Sequence, residues 1–148
     1  MIRRLMRPLL VAALTTAAIV PATTGPASAA GDTEVTLALT QFTPTVVQVP
    51  AGNSLTFTNK DVTNYPAVVG NHNVIPDSNV GAMLPGTKPF PTSSSLITPG
   101  DKWTCNAASA GGLTCTGIDE KPTPVPPGLY TVACGLHPNQ MHAVIVVQ

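Results

Sequence analysis

The sequence predicts an all-β sandwich or barrel on three observations. Short runs rich in Val, Leu and Thr alternate apolar and polar residues with a period of two. Turns containing Pro and Gly separate these runs at short intervals, in a chain with 16 prolines and 12 glycines, all but Pro8, Pro21, Pro26 and Gly25 beyond residue 29. Beyond residue 29 no stretch sustains a helical period without meeting Gly or Pro.

The first 29 residues stand apart. Arg3, Arg4 and Arg7 precede an apolar run over 9–20, and Ala27-Ser28-Ala29 forms a small-residue cleavage site. Residues 1–29 therefore read as a secretory signal peptide and 30–148 as one domain. The apolar run is shorter than the roughly 20 residues of a spanning helix. After cleavage no transmembrane segment is expected, and the location is extracytoplasmic: periplasm, cell surface or secreted. The signal carries all three arginines, so four lysines remain against seven acidic residues. No basic patch survives, and nucleic acid is excluded as an expected partner. Charged residues make up 9% of the chain, so charge steering of a partner should be weak.

Along the domain, 33–40 reads as a strand with Val35, Leu37 and Leu39 on one face. Phe42-Thr43-Pro44 breaks it, 45–49 resumes an extended pattern, and Pro50-Ala51-Gly52-Asn53 turns the chain. Residues 54–58 alternate again with Leu55 and Phe57 inward, ending at the polar Asn59-Lys60-Asp61. His72 follows in an apolar setting within 65–75. Residues 76–91 read as a loop punctuated by Pro and Gly, and 94–98 and 102–105 as short strands around Pro99-Gly100. The segment 106–127, with Pro122, Pro124, Pro126 and Pro127, reads as irregular apart from paired edges near 113–116, and is long for a loop in a compact domain. Two strands close the chain. In 130–134, Tyr130, Val132 and Cys134 share a face, so the thiol points inward. Met141, Ala143, Ile145 and Val147 share a face of the last strand, leaving Val144 and Val146 outward, to be covered by the long loop. Trp103, Phe57 and Tyr130 are expected in the core or at its rim.

The three cysteines, Cys105, Cys115 and Cys134, are an odd number for an oxidising compartment. Cys105 and Cys115 flank a flexible segment containing Gly111-Gly112 and can close on each other. A loop of that size is worth roughly 2–3 kcal/mol in the chain-entropy model. Cys134 is then left over, and it does not stand alone. Cys134, His137 and Met141 place a thiol, an imidazole and a thioether within eight positions. A Cys thiolate, neutral His and a weak sulfur ligand describe most of a blue-copper site, which needs one more His from elsewhere. His72 is the candidate. Against this stand a buried structural thiol at Cys134, core packing for Met141, and Met83 as an alternative thioether. His142, beside Met141, reads as a strand histidine near the rim. A hydrolase with Cys134 as nucleophile and a His as base is disfavoured, because no oxyanion-hole motif accompanies the pair.

These residues resemble a cupredoxin of the plastocyanin, amicyanin and azurin group. The likeness runs through Phe42-Thr43-Pro44, Val49-Pro50-Ala51-Gly52, Phe57-Thr58-Asn59 and His72-Asn73-Val74. It is most specific at Gly128-Leu129-Tyr130, Cys134-x-x-His137 and Met141, and His137-Pro138 is similar to the amicyanin form of the loop. The resemblance implies a Greek-key β-sandwich binding one type 1 copper per chain through His72, Cys134, His137 and Met141. It implies a monomeric electron carrier rather than an enzyme, with redox proteins as transient partners; extracytoplasmic copper storage or delivery is the alternative. The chain departs from the pattern in three places. Gly135 stands where Ser or Thr often follows the ligand Cys, so a bond from Asn73 falls to backbone. Three residues separate His137 from Met141, a spacing between family forms. No acidic patch like that of plant plastocyanins is present.

Overall fold

The computed structural model describes residues 31–62, 70–93 and 95–148; the signal-peptide reading of 1–29 lies outside them. In chain order the elements are β1 (Asp32–Ala38), β2 (Gln41–Thr43), β3 (Val46–Val49), β4 (Ser54–Asn59), β5 (Ile75–Pro76), α1 (Ser78–Met83), β6 (Thr87–Pro89), β7 (Lys102–Ala107), β8 (Leu113–Thr116), β9 (Pro122–Val125), β10 (Gly128–Ala133) and β11 (His142–Val147). One mixed sheet has the order β2-β1-β4-β7-β8-β9. The other runs β3-β11-β10-β5, with β6 alongside β10. No described helix is long and apolar enough to cross a membrane.

Alternation drives both sheets to bury one face in a common core. Val35, Leu37, Leu55 and Phe57 come from the first sheet, and Val47, Val132, Ile145 and Val147 from the second, all in one buried cluster. Phe57 is central. Its ring stacks on Trp103 at 5.6 Å between centroids and meets Phe42 and Phe90 edge-on at 6.2 and 6.4 Å. Phe90 passes the contact on to Tyr130 at 5.5 Å. Trp103 and Tyr130 keep their polar tips satisfied, donating to the carbonyls of Thr116 and Pro126. Cys105 and Cys115 face each other across the β7–β8 ladder and form a buried disulfide, so the bridge staples two strands rather than a slack loop.

Several elements differ from the sequence reading, each for a local reason. Leu39 does not share the inward face of β1: it sits in the turn after it at φ 54° and is half exposed. Residues 41–43 do not merely break β1 but pair back on it as β2. The 76–91 stretch is not all loop. Asp77 caps α1, its carboxylate accepting the Asn79 and Val80 N–H groups, and Thr87–Pro89 runs parallel to β10. Of the expected strand 94–98 the described part makes only an isolated bridge, Ile97 to His72. The 106–127 segment carries two paired strands, β8 and β9. Pro122 and Pro124 are accommodated because β9 is the edge strand, where a missing N–H leaves no partner unsatisfied. That segment therefore belongs to the other sheet and does not cover Val144 and Val146. These two are half-buried among their ladder neighbours, Val144 between Val46 and Thr131 and Val146 between Gln48 and Leu129.

Candidate metal centre

The chain brings three donors together at one end of the sandwich. Cys134 directly follows β10, and the alternation that buries Tyr130 and Val132 turns its thiol inward, fully buried and free of any disulfide. The turn after it is tightly made. The Cys134 N–H donates to the Met141 carbonyl at 3.0 Å, the His137 N–H to the Cys134 carbonyl at 3.0 Å, and the Gln140 and Met141 N–H groups both to the His137 carbonyl at 3.1 Å. This closes the loop with His137 on the rim, half-buried, and Met141 back at the base, wholly buried.

His72 comes from the separate segment before β5. It is held by a two-bond bridge with Ile97, at 3.2 and 2.7 Å, and its side chain is 0% exposed. Asn59, at the end of β4, supports that bridge by donating to the carbonyls of Gly70 and Ile97, each at 2.7 Å. Cys134 Sγ lies 3.7 Å from His72 Nδ1 and 3.5 Å from His137 Nδ1. A metal about 2.0–2.3 Å from each donor would hold sulfur and nitrogen roughly 3.6 Å apart. The spacing therefore fits one ion. The two imidazole rings lie 5.3 Å apart between centroids and tilted by 50°, leaving both Nδ1 edges directed to the thiol. A thiolate with two imidazoles is a donor set that suits copper, and buried Met141 closes the same turn through its backbone carbonyl.

Burial holds the His72 imidazole below its usual pKa, and its bond to Asp61 opposes this only in part. That direction favours the neutral form a metal requires. Asn73 then joins the two ligand-bearing segments. Its Oδ1 accepts the Gly135 N–H at 2.7 Å and stands 3.6 Å from Cys134 Sγ. The backbone thus makes the bond that a hydroxyl at 135 cannot. The approach is close: a Cβ at Gly135 would sit 3.0–3.1 Å from the Asn73 amide, so any larger residue forces Asn73 to give way.

Three of the four residues expected from the sequence, His72, Cys134 and His137, meet at this end of the fold. They form the cluster of titratable donors, and Met141 closes the same turn through its backbone. Met83, the alternative thioether, is 73% exposed, whereas Met141 is fully buried. His142 pairs with β10 and bonds Asp77 through Nδ1 at 2.6 Å, as a strand histidine near the rim. Sequence reasoning missed Asp61, whose Oδ2 lies 2.8 Å from His72 Nε2. In the sequence it is only the last of three polar residues after a strand, and nothing there ties it to a histidine eleven positions on.

No protein-family model matches the sequence, and neither does any curated protein. Solved structures do match in three dimensions. A copper-containing nitrite reductase (NirK) from Thermus scotoductus SA-01 superposes at a TM-score of 0.53 with 22% identity over 78% of this chain. The chain spans only 22% of that reductase. An azurin (Az-iso2) from Methylomonas sp. strain J gives 0.49 and 19% identity, over 81% of this chain and 99% of its own. Amicyanin from Paracoccus versutus gives 0.46 and 18%, over 84% and 86%. At such identities likeness speaks to architecture alone. Two mixed sheets around one core, a long turn joining the last two strands, and the overlap with the reductase give this chain a cupredoxin-like fold.

Proposed function

We propose that this protein is an extracytoplasmic blue copper electron carrier, holding one type 1 copper through His72, Cys134, His137 and Met141. The observation that carries this reading is a buried, unpaired thiol with two imidazole Nδ1 atoms at 3.5 and 3.7 Å. Copper bound there supplies a one-electron couple between Cu(I) and Cu(II).

The chain's own residues do the rest. Cys134 and Met141 are tied to each other by the strand ladder, and Asn73 fixes Cys134 to the His72 segment, so the donors keep their places whichever charge they face. Four protein donors leave no open position for a substrate, which favours a carrier over an enzyme. His137 is the ligand that reaches the rim, and exposed Leu136 and Pro138 flank it. A small apolar contact of this kind suits a monomer meeting redox proteins transiently. The signal-like sequence of residues 1–29 and the Cys105–Cys115 disulfide both favour an oxidising, extracytoplasmic location.

The test of this surface is Leu136→Asp in the copper-loaded protein. A charge at the contact should slow electron transfer to a redox protein by about tenfold, equivalent to about 1.4 kcal/mol, with the colour unchanged. An unaltered rate would count against the docking surface. Ready surrender of copper to a chelator, with slow electron exchange between copies, would favour storage or delivery instead.

A further inference from the structure

We propose that Asp61 is a positioning residue for the metal centre, fixing the Nε2–H tautomer of His72 and favouring oxidised over reduced copper. The proposal rests on the copper reading above and adds a residue that the ligand set does not contain.

The geometry around Asp61 is that of a built support. Its side chain is 2% exposed and His72's 0%, so neither group of the pair faces water. Oδ2 lies 2.8 Å from His72 Nε2, while Oδ1 accepts the Leu39 N–H at 2.7 Å. The Asp61 N–H donates to Asn59 Oδ1 at 2.9 Å, and the same Asn59 amide clamps Gly70 and Ile97 beside His72. One residue therefore joins three segments: its carboxylate the turn after β1 and the metal-facing histidine, its backbone N–H the end of β4. The Leu39 contact also holds a non-glycine residue at φ 54°, a conformation that needs outside support.

Two consequences follow. A carboxylate accepts the Nε2 proton and leaves the Nδ1 lone pair free on the side where Cys134 stands at 3.7 Å. The orientation is then set before any metal arrives. The second consequence is electrostatic. The Cys134 thiolate and Asp61 carboxylate together offset the two positive charges of Cu(II). Reduction adds one electron, taken from a redox mediator, and transfers no proton. It leaves one negative charge uncompensated in a buried site, where that is costly. Asp61 thus lowers the reduction potential relative to a neutral residue in its place.

Asp61→Asn removes the charge while its amide oxygen can still accept the Nε2 proton, at the cost of the bond from the Leu39 N–H, which then faces the amide NH2. The variant should keep the blue colour and shift to a more positive potential in mediator titrations; an unchanged or lower potential overturns the electrostatic role. Long-range ¹⁵N–¹H NMR of the copper-free wild-type protein reads the tautomer independently of any variant's folding. Nε2–H at His72 is expected, and Nδ1–H overturns the positioning role. Failure of the wild-type protein to take up copper would overturn the copper reading and the redox half of the proposal, with the NMR result still judging the positioning half.

Discussion

Cys134→Ser is expected to abolish the blue colour and to weaken copper binding by at least about 100-fold, the upper end of what loss of an outer-shell partner costs. The reasoning is local. Serine replaces the thiol with a smaller group that does not ionise to an equivalent ligand, leaving two imidazoles and a thioether. The fold should persist, because the substitution is small and leaves the backbone bonds of the turn intact. Competition titration against a copper chelator measures the affinity, and circular dichroism confirms the fold. A Ser variant that stays blue would remove Cys134 from the centre.

Phe57→Ala is expected to cost about 3–5 kcal/mol of stability. Phe57 is completely buried and contacts Phe42, Phe90 and Trp103, so its loss opens a cavity where the two sheets meet. A domain of this size has about 5–15 kcal/mol in all, so the variant should unfold at markedly lower urea concentration. Its position adds a second effect. Phe57 lies on β4 just ahead of Asn59 and Asp61, which support His72, so the centre should loosen as the core does. A loss below about 1 kcal/mol would mean that the core repacks around the gap.

The parts of this protein that are legible in its sequence are those encoded by short-range spacing. Cys134, His137 and Met141 occupy one turn, so their closeness along the chain needs no knowledge of the remote chain. Strand alternation also suffices to turn Cys134 inward and to bury Leu55 and Phe57. The bond at Gly135 is legible for a similar reason: without a hydroxyl at 135, Asn73 can be met only by the backbone N–H. What escapes depends on context. A proline-rich run such as 122–125 reads as irregular until its place at a sheet edge is known. A helix of six residues, Ser78–Met83, is too short to show a period. Leu39 fits the alternation of β1 and is turned away by a left-handed turn that Asp61 supports. Asp61 itself meets His72 only because the end of β4 and the His72 segment are brought side by side.

The central claim is a single copper centre made by His72, Cys134, His137 and Met141. Its most direct test is to add Cu(II) to the purified domain 30–148 and follow colour and stoichiometry together. An intense blue colour saturating at one copper per chain, bleached by one electron equivalent and restored on reoxidation, is the predicted result. A colourless or merely pale protein at saturating copper would contradict it.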